Sequence, residues 1–76
     1  MTEKILDATG LLCPLPVLKL RKHIKSLKIG DVVAVLADDP AAAIDIPHFC
    51  NEAGHTLVSQ KASGNGATEY QVRKEI

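Results

Sequence analysis

Apolar side chains recur at Val17, Leu20, Ile24 and Leu27, which lays them along one side of a helix. Lys19, Lys22, Lys25 and Ser26 fill the opposite side, so the pattern predicts an amphipathic helix over 14–27, with Gly30 as its C-terminal punctuation. Leu15 and Leu18 fall on the lysine side, away from the apolar stripe. Upstream, "EKILDAT" alternates weakly and predicts a short strand ending near Asp7, after which Gly10 opens a loop into Cys13. Downstream, "DVVAVLA" is a near-continuous apolar run of strand length, expected to be covered on at least one face. It ends in "DDP", where Asp39 suits an N-cap and Pro40 a first helical position. Pro47 is expected to break the second helix, Asp45 capping a fresh turn that carries Phe49, Cys50 and Ala53 inward until Gly54. "HTLVSQKA" and "TEYQVRKE" read as two further strands, and Asn65-Gly66 between them is a hairpin signal. The order βαβαββ predicts a two-layer α/β sandwich, a four-stranded mixed sheet with two helices on one face, and leaves the strand order open.

Seventy-six residues predict a single domain over 1–76, and one Phe, one Tyr and no Trp leave its core to Val, Ile, Leu and Ala. Two cysteines are too few for a disulfide scaffold. The first ten residues carry no apolar signal core, and no stretch approaches the roughly 20 apolar residues of a membrane span, so no membrane role and a cytoplasmic location with reduced thiols are expected. Net charge is zero but segregated. Residues 1–30 hold six basic and two acidic side chains (+4), residues 31–60 five acidic and no basic ones (−5), and residues 61–76 three and two (+1). This is either chance placement on a solvated surface or a basic face that meets an acidic partner. Direct nucleic-acid binding, which normally rests on a strong basic patch and stacking aromatics, is not expected.

The chemistry centres on "CPLP". Proline costs about 3 kcal/mol in a helix interior but little in the first turn, whose N–H groups have no internal partner. With Cys13 as N-cap, Pro14 and Pro16 sit where they are cheap, Leu12 and Val17 take the hydrophobic-staple positions, and the sulfur stands on a stiff mount. The N–H of Leu15 and the positive end of the helix dipole are expected to favour a thiolate there. A free cysteine is ordinarily a small buried hydrophobe, and Cys50, beside Phe49 on the inward stripe, is read that way. A filler needs no double-proline mount, so Cys13 is the expected nucleophile, with Pro14, Leu15 and Pro16 positioning it. His23, His48 and His55 lack metal-ligand spacing, and no Ser/His/Asp set, phosphate loop or dinucleotide fingerprint occurs. No metal and no cofactor are expected. A chain this small is suited to passing a small group on one sulfur, with partner enzymes supplying the rest of the active site.

"LDATGLLCPLPVLKLRK", followed by "GD", "ADDP", "DIP", "FC" and "GH" in order, resembles the TusA family of sulfur carriers, also called SirA-like. The resemblance spans about Leu6 to Tyr70 and includes the family's C-P-x-P signature. It implies a fold like the C-terminal domain of bacterial translation initiation factor three, and a sulfurtransferase-type role in which Cys13 accepts sulfane sulfur as a persulfide. The implied donor is a cysteine desulfurase or a rhodanese-like protein. The implied acceptor is a relay protein of tRNA 2-thiouridine synthesis or of dissimilatory sulfur oxidation. It also places partner contacts on Leu18, Arg21, Lys25 and Asp39. With the helical wheel, which adds Lys19 and Lys22, these make a small apolar anchor with a basic rim. A monomer is expected. The alternative is a regulatory interaction module without chemistry, which would survive Cys13→Ser.

Overall fold

A computed structural model describes residues 4–76. The elements run β1 (Lys4–Asp7), α1 (Leu15–Ile24), β2 (Val32–Ala37), α2 (Ala42–Ala53), β3 (Thr56–Gly64) and β4 (Ala67–Arg73). Glu3, the first acidic residue of the expected opening strand, lies outside the described residues.

The sheet order is β1-β2-β4-β3. β1 runs parallel to β2, with Leu6 opposite Val35, and β4 lies antiparallel between β2 and β3. The pleat sends alternate side chains to opposite faces. Leu6, Val33, Val35, Tyr70 and Val72 therefore share one face, against which α1 packs Leu20 and Ile24 and α2 packs Ile46, Phe49 and Cys50. Both helices cover that single face, and the fold is the expected two-layer βαβαββ sandwich. Asn65 at φ 52° and Gly66 at φ 79° form the tight turn of the β3–β4 hairpin, since both positions need the left-handed region.

The helices depart from the expected bounds. α1 stops at Ile24, and the chain then turns through Ser26 and Leu27, whose N–H groups donate to the carbonyls of His23 and Ile24 at 3.1 Å. Leu27 still reaches the core, so the apolar spacing was satisfied by a turn as well as by a helix. Gly30 caps nothing; its N–H donates to the Lys74 carbonyl at 2.7 Å beside the sheet. α2 begins two residues after Pro40 and runs unbroken through Pro47. The proline removes one donor, that owed to the Ala43 carbonyl four residues back, and Ala43 is exposed, where water can serve it. Burial of Ile46, Phe49 and Cys50 against the sheet outweighs the local preference for a break. Gly54, at φ 83°, ends α2 as expected.

Candidate functional site

Cys13 lies in the segment between β1 and α1, beyond the C-terminal ends of the parallel strands, where open α/β sheets present their sites. The "DDP" turn after β2 grips this segment. The Gly10 N–H donates to Asp38 Oδ1 at 2.9 Å and the Cys13 N–H to Asp39 Oδ2 at 2.5 Å. Asp39 also accepts the Ala41 N–H at 3.2 Å, so it both starts the turn into α2 and holds the cysteine backbone. Pro16, less than 2% exposed, anchors the other side in the core. The Cys13–Pro14 peptide bond is cis.

Cys13 is not the N-cap. Pro14 occupies that position, so the staple pairing of Leu12 with Val17 does not arise: Leu12 is 70% exposed, while Leu11 and Val17 pack against the core. The Leu15 N–H, expected to favour a thiolate, is already used by the Leu12 carbonyl at 2.8 Å, and the Cys13 N–H is taken by Asp39. Instead the exposed thiol donates to Asp45 Oδ2 at 2.7 Å. That hydrogen bond, aided by partial desolvation and by the negative charges of Asp45 and Asp39, pushes the Cys13 thiol above its ordinary range. The expectation of a thiolate pre-activated by the helix terminus is thus overturned. A full carboxylate charge within hydrogen-bond reach outweighs the partial charge of a helix end whose Leu15 N–H is already engaged.

A cavity of about 540 Å³ opens beside the sulfur between α1 and α2. Val17, Phe49 and Ala53 give it an apolar wall, and Asp45, His48 and Glu52 are its polar lining from α2. The guanidinium carbon of Arg21, which also lines it, stands 5.7 Å from the Phe49 ring centroid, a cation–π arrangement. His48 and Glu52 are paired at 4.0 Å. Cys50 is free and buried, its thiol pushed up to about 11 by desolvation. Among the described residues, no group of three or more His, Cys, Asp or Glu side chains is placed to hold a metal ion. No helix among them is long and apolar enough to cross a membrane.

The expected site residues divide into three groups. Leu15 and Leu18, 48% and 47% exposed, face solvent on one side of α1, with Lys22 and Lys25 also exposed. Lys19 is exposed but tethered, its Nζ donating to the Asp7 carbonyl at 2.6 Å. Arg21 is committed to the cavity wall, and the Asp39 carboxylate to two backbone N–H groups. The sequence reading missed Asp38 as the grip on Gly10 and, above all, Asp45 as the partner of the thiol. Asp45 had left a signal. It stands three residues after Ala42 and directly before Ile46, next to the inward stripe of α2, with no Lys or Arg at helical spacing to pair it.

A protein-family model described as Sulfurtransferase TusA matches residues 4–74. The chain is 45% identical over 73 residues to a protein of Pseudomonas putida named Sulfur carrier protein TusA, covering 96% of this chain and 90% of that one. The protein of the same name from Pseudomonas entomophila is 47% identical over the same shares. The crystal structure of a SirA-like protein from Desulfitobacterium hafniense superposes with a TM-score of 0.84 at 25% identity, over 99% of this chain and all of that one.

Proposed function

The chain belongs to the sulfurtransferase TusA family, and on that premise we propose that it is a sulfur carrier whose Cys13 accepts sulfane sulfur as a persulfide and passes it to a relay partner. One observation carries the reading. In a family whose members are named sulfur carriers, the C-P-L-P cysteine is the exposed one, held by its backbone at the mouth of a cavity, whereas Cys50 is sealed in the core. A carrier must offer its sulfur to two active sites in turn, and a thiol on a fixed turn at the surface can do so.

The chemistry is thiol exchange. Cys13 as thiolate attacks the terminal sulfur of a donor persulfide R–S–SH. The new Cys13 S–S bond forms as the donor's S–S bond breaks, and R–S⁻ leaves with the electron pair and takes up the proton that the Cys13 thiol released. The sulfane sulfur changes hands without net oxidation. The donor is of the cysteine desulfurase or rhodanese class, and the acceptor belongs to a relay for tRNA thiolation or sulfur oxidation. Leu15 and Leu18 serve as the apolar anchor for these partners. Lys22 and Lys25 supply the steering charge, with Lys19, Arg21 and Asp39 at its margins.

Incubation with a cysteine desulfurase and cysteine, or with polysulfide, should add about 32 Da to the peptide containing Cys13, the mass of one sulfur on a persulfide. Label found mainly on the Cys50 peptide overturns the assignment.

A further inference from the structure

Cys13 sits among carboxylates. Asp45 accepts its S–H at 2.7 Å and Asp39 its backbone N–H at 2.5 Å, while Glu52 lines the same cavity. The charged and titratable groups at Cys13 and around its cavity are Asp39 from the turn after β2, Asp45, His48 and Glu52 from α2, and Arg21 from α1. Arg21 lies against the Phe49 ring rather than against a carboxylate, and the segment 10–14 that bears Cys13 carries no charge of its own. The site is therefore acidic although the helix behind it is basic.

Resting on the reading of Cys13 as the sulfur-bearing group, we propose that Asp45 is a specificity-determining residue that makes the sulfur site select positively charged sulfur donors and acceptors over negatively charged ones. Every sulfur exchange at Cys13 brings the reactant's own substituent within a few ångströms of the Asp45 carboxylate. A cation is drawn in and an anion is repelled, each by about fivefold for unit charges roughly 4 Å apart in water. The same carboxylate opposes negative charge on the sulfur itself, whether thiolate or persulfide anion. A partner that sets a lysine or arginine against Asp45 neutralises that opposition, so docking and activation coincide. Partners of this carrier are accordingly proteins whose reactive cysteine is flanked by a cationic side chain. Small anionic thiols and disulfides are poor reactants, which keeps the carried sulfur from leaking to them.

Two methanethiosulfonate reagents of opposite charge, aminoethyl and sulfonatoethyl, test this without any sulfur donor. Each is attacked by the thiolate, forms a mixed disulfide and releases methanesulfinate. Because both read the same thiolate fraction, their rate ratio reports charge selection alone. Cys13 in the folded protein should favour the cationic reagent by more than it does in urea, and the excess should shrink with added salt. Asp45→Asn should lower the ratio about 25-fold at low salt, about fivefold from each reagent, Glu52→Gln should lower it by less, and Asp45→Glu should retain most of it. Protection of Cys50 from both reagents certifies that each variant is folded. A folded Asp45→Asn with the wild-type ratio overturns the proposal. Should that variant expose Cys50, a folded wild-type protein whose ratio does not exceed its ratio in urea overturns it instead. Failure of Cys13 to gain sulfur mass strikes the carrier reading but leaves this ratio where it is.

Discussion

The two cysteines have thiols displaced in the same direction by different physics. Cys50 is raised to about 11 because burial removes the water a thiolate needs. Cys13 is exposed, and it is raised first by the hydrogen bond to Asp45, then by partial desolvation and by nearby negative charge. Burial is undone only by unfolding. Charge can be undone by a partner's countercharge, with the fold intact. The difference separates a thiol whose shift is fixed by the core from one whose shift a neighbouring countercharge can change.

The comparison breaks most easily at the sulfur itself. Cys13→Ser should abolish sulfur acceptance while shifting stability by less than about 0.5 kcal/mol, the range of an exposed substitution. Cys50→Ser should keep acceptance per folded molecule yet cost about 1–3 kcal/mol in urea unfolding, since it buries a hydroxyl in an apolar core. A swapped pattern would show that the roles have been misassigned.

Alkaline titration sharpens the contrast next. The folded Cys50 thiol binds its proton up to about pH 11, the unfolded one only to about 9.0, so its contribution is whole below pH 9 and is lost as pH rises toward 11. The shift corresponds to about 2–3 kcal/mol. Tyr70, also raised by burial, adds to the decline, so the share of Cys50 is the slope that disappears in Cys50→Ala. Urea midpoints at successive pH values give both curves; identical slopes mean that Cys50 is solvated.

Pro16→Ala should cost about 1–2 kcal/mol, since its ring fills a fully buried position, whereas Pro14→Ala, at an exposed one, should cost less. Equal costs would make the two prolines alike in role. The smallest effect belongs to the docking face. Leu18→Ala should speed dissociation of a desulfurase complex severalfold, and Lys22→Glu should slow its association and flatten its salt dependence. Neither should alter the labelling of Cys50. If Leu18→Ala unmasks Cys50, Leu18 belongs to the core.

The fold was legible because its signals were redundant. The β-branched run of β2, the Asn65-Gly66 turn and the glycine after Ala53 each agree with the burial pattern that surrounds them. The ends of α1 and the course of α2 were not legible. Pro47 argues locally for a break, but the buried Ile46 and Phe49 on either side decide otherwise, and tertiary burial has no local signature. At the site, local sequence singled out Cys13 and its prolines. The state of the thiol depends on Asp45, 32 residues away, and no rule of spacing reaches that far. The helix-terminus argument failed because it counted only the donors of α1 and not the acceptors that α2 brings across.

The position of β4 bears on how the carrier comes into being. This strand, the latest in sequence, lies between β2 and β3 and supplies Tyr70 and Val72 to the core. While the chain emerges from the ribosome, β1, α1, β2 and α2 precede it without the strand that joins the halves of their sheet. A nascent chain stopped before Thr68 has Cys13 and Asp45 but no β4 ladder beneath the helices that bring them together. The site is thus assembled late, and the Cys13 thiol gains its carboxylate partner in the same step that completes the sheet.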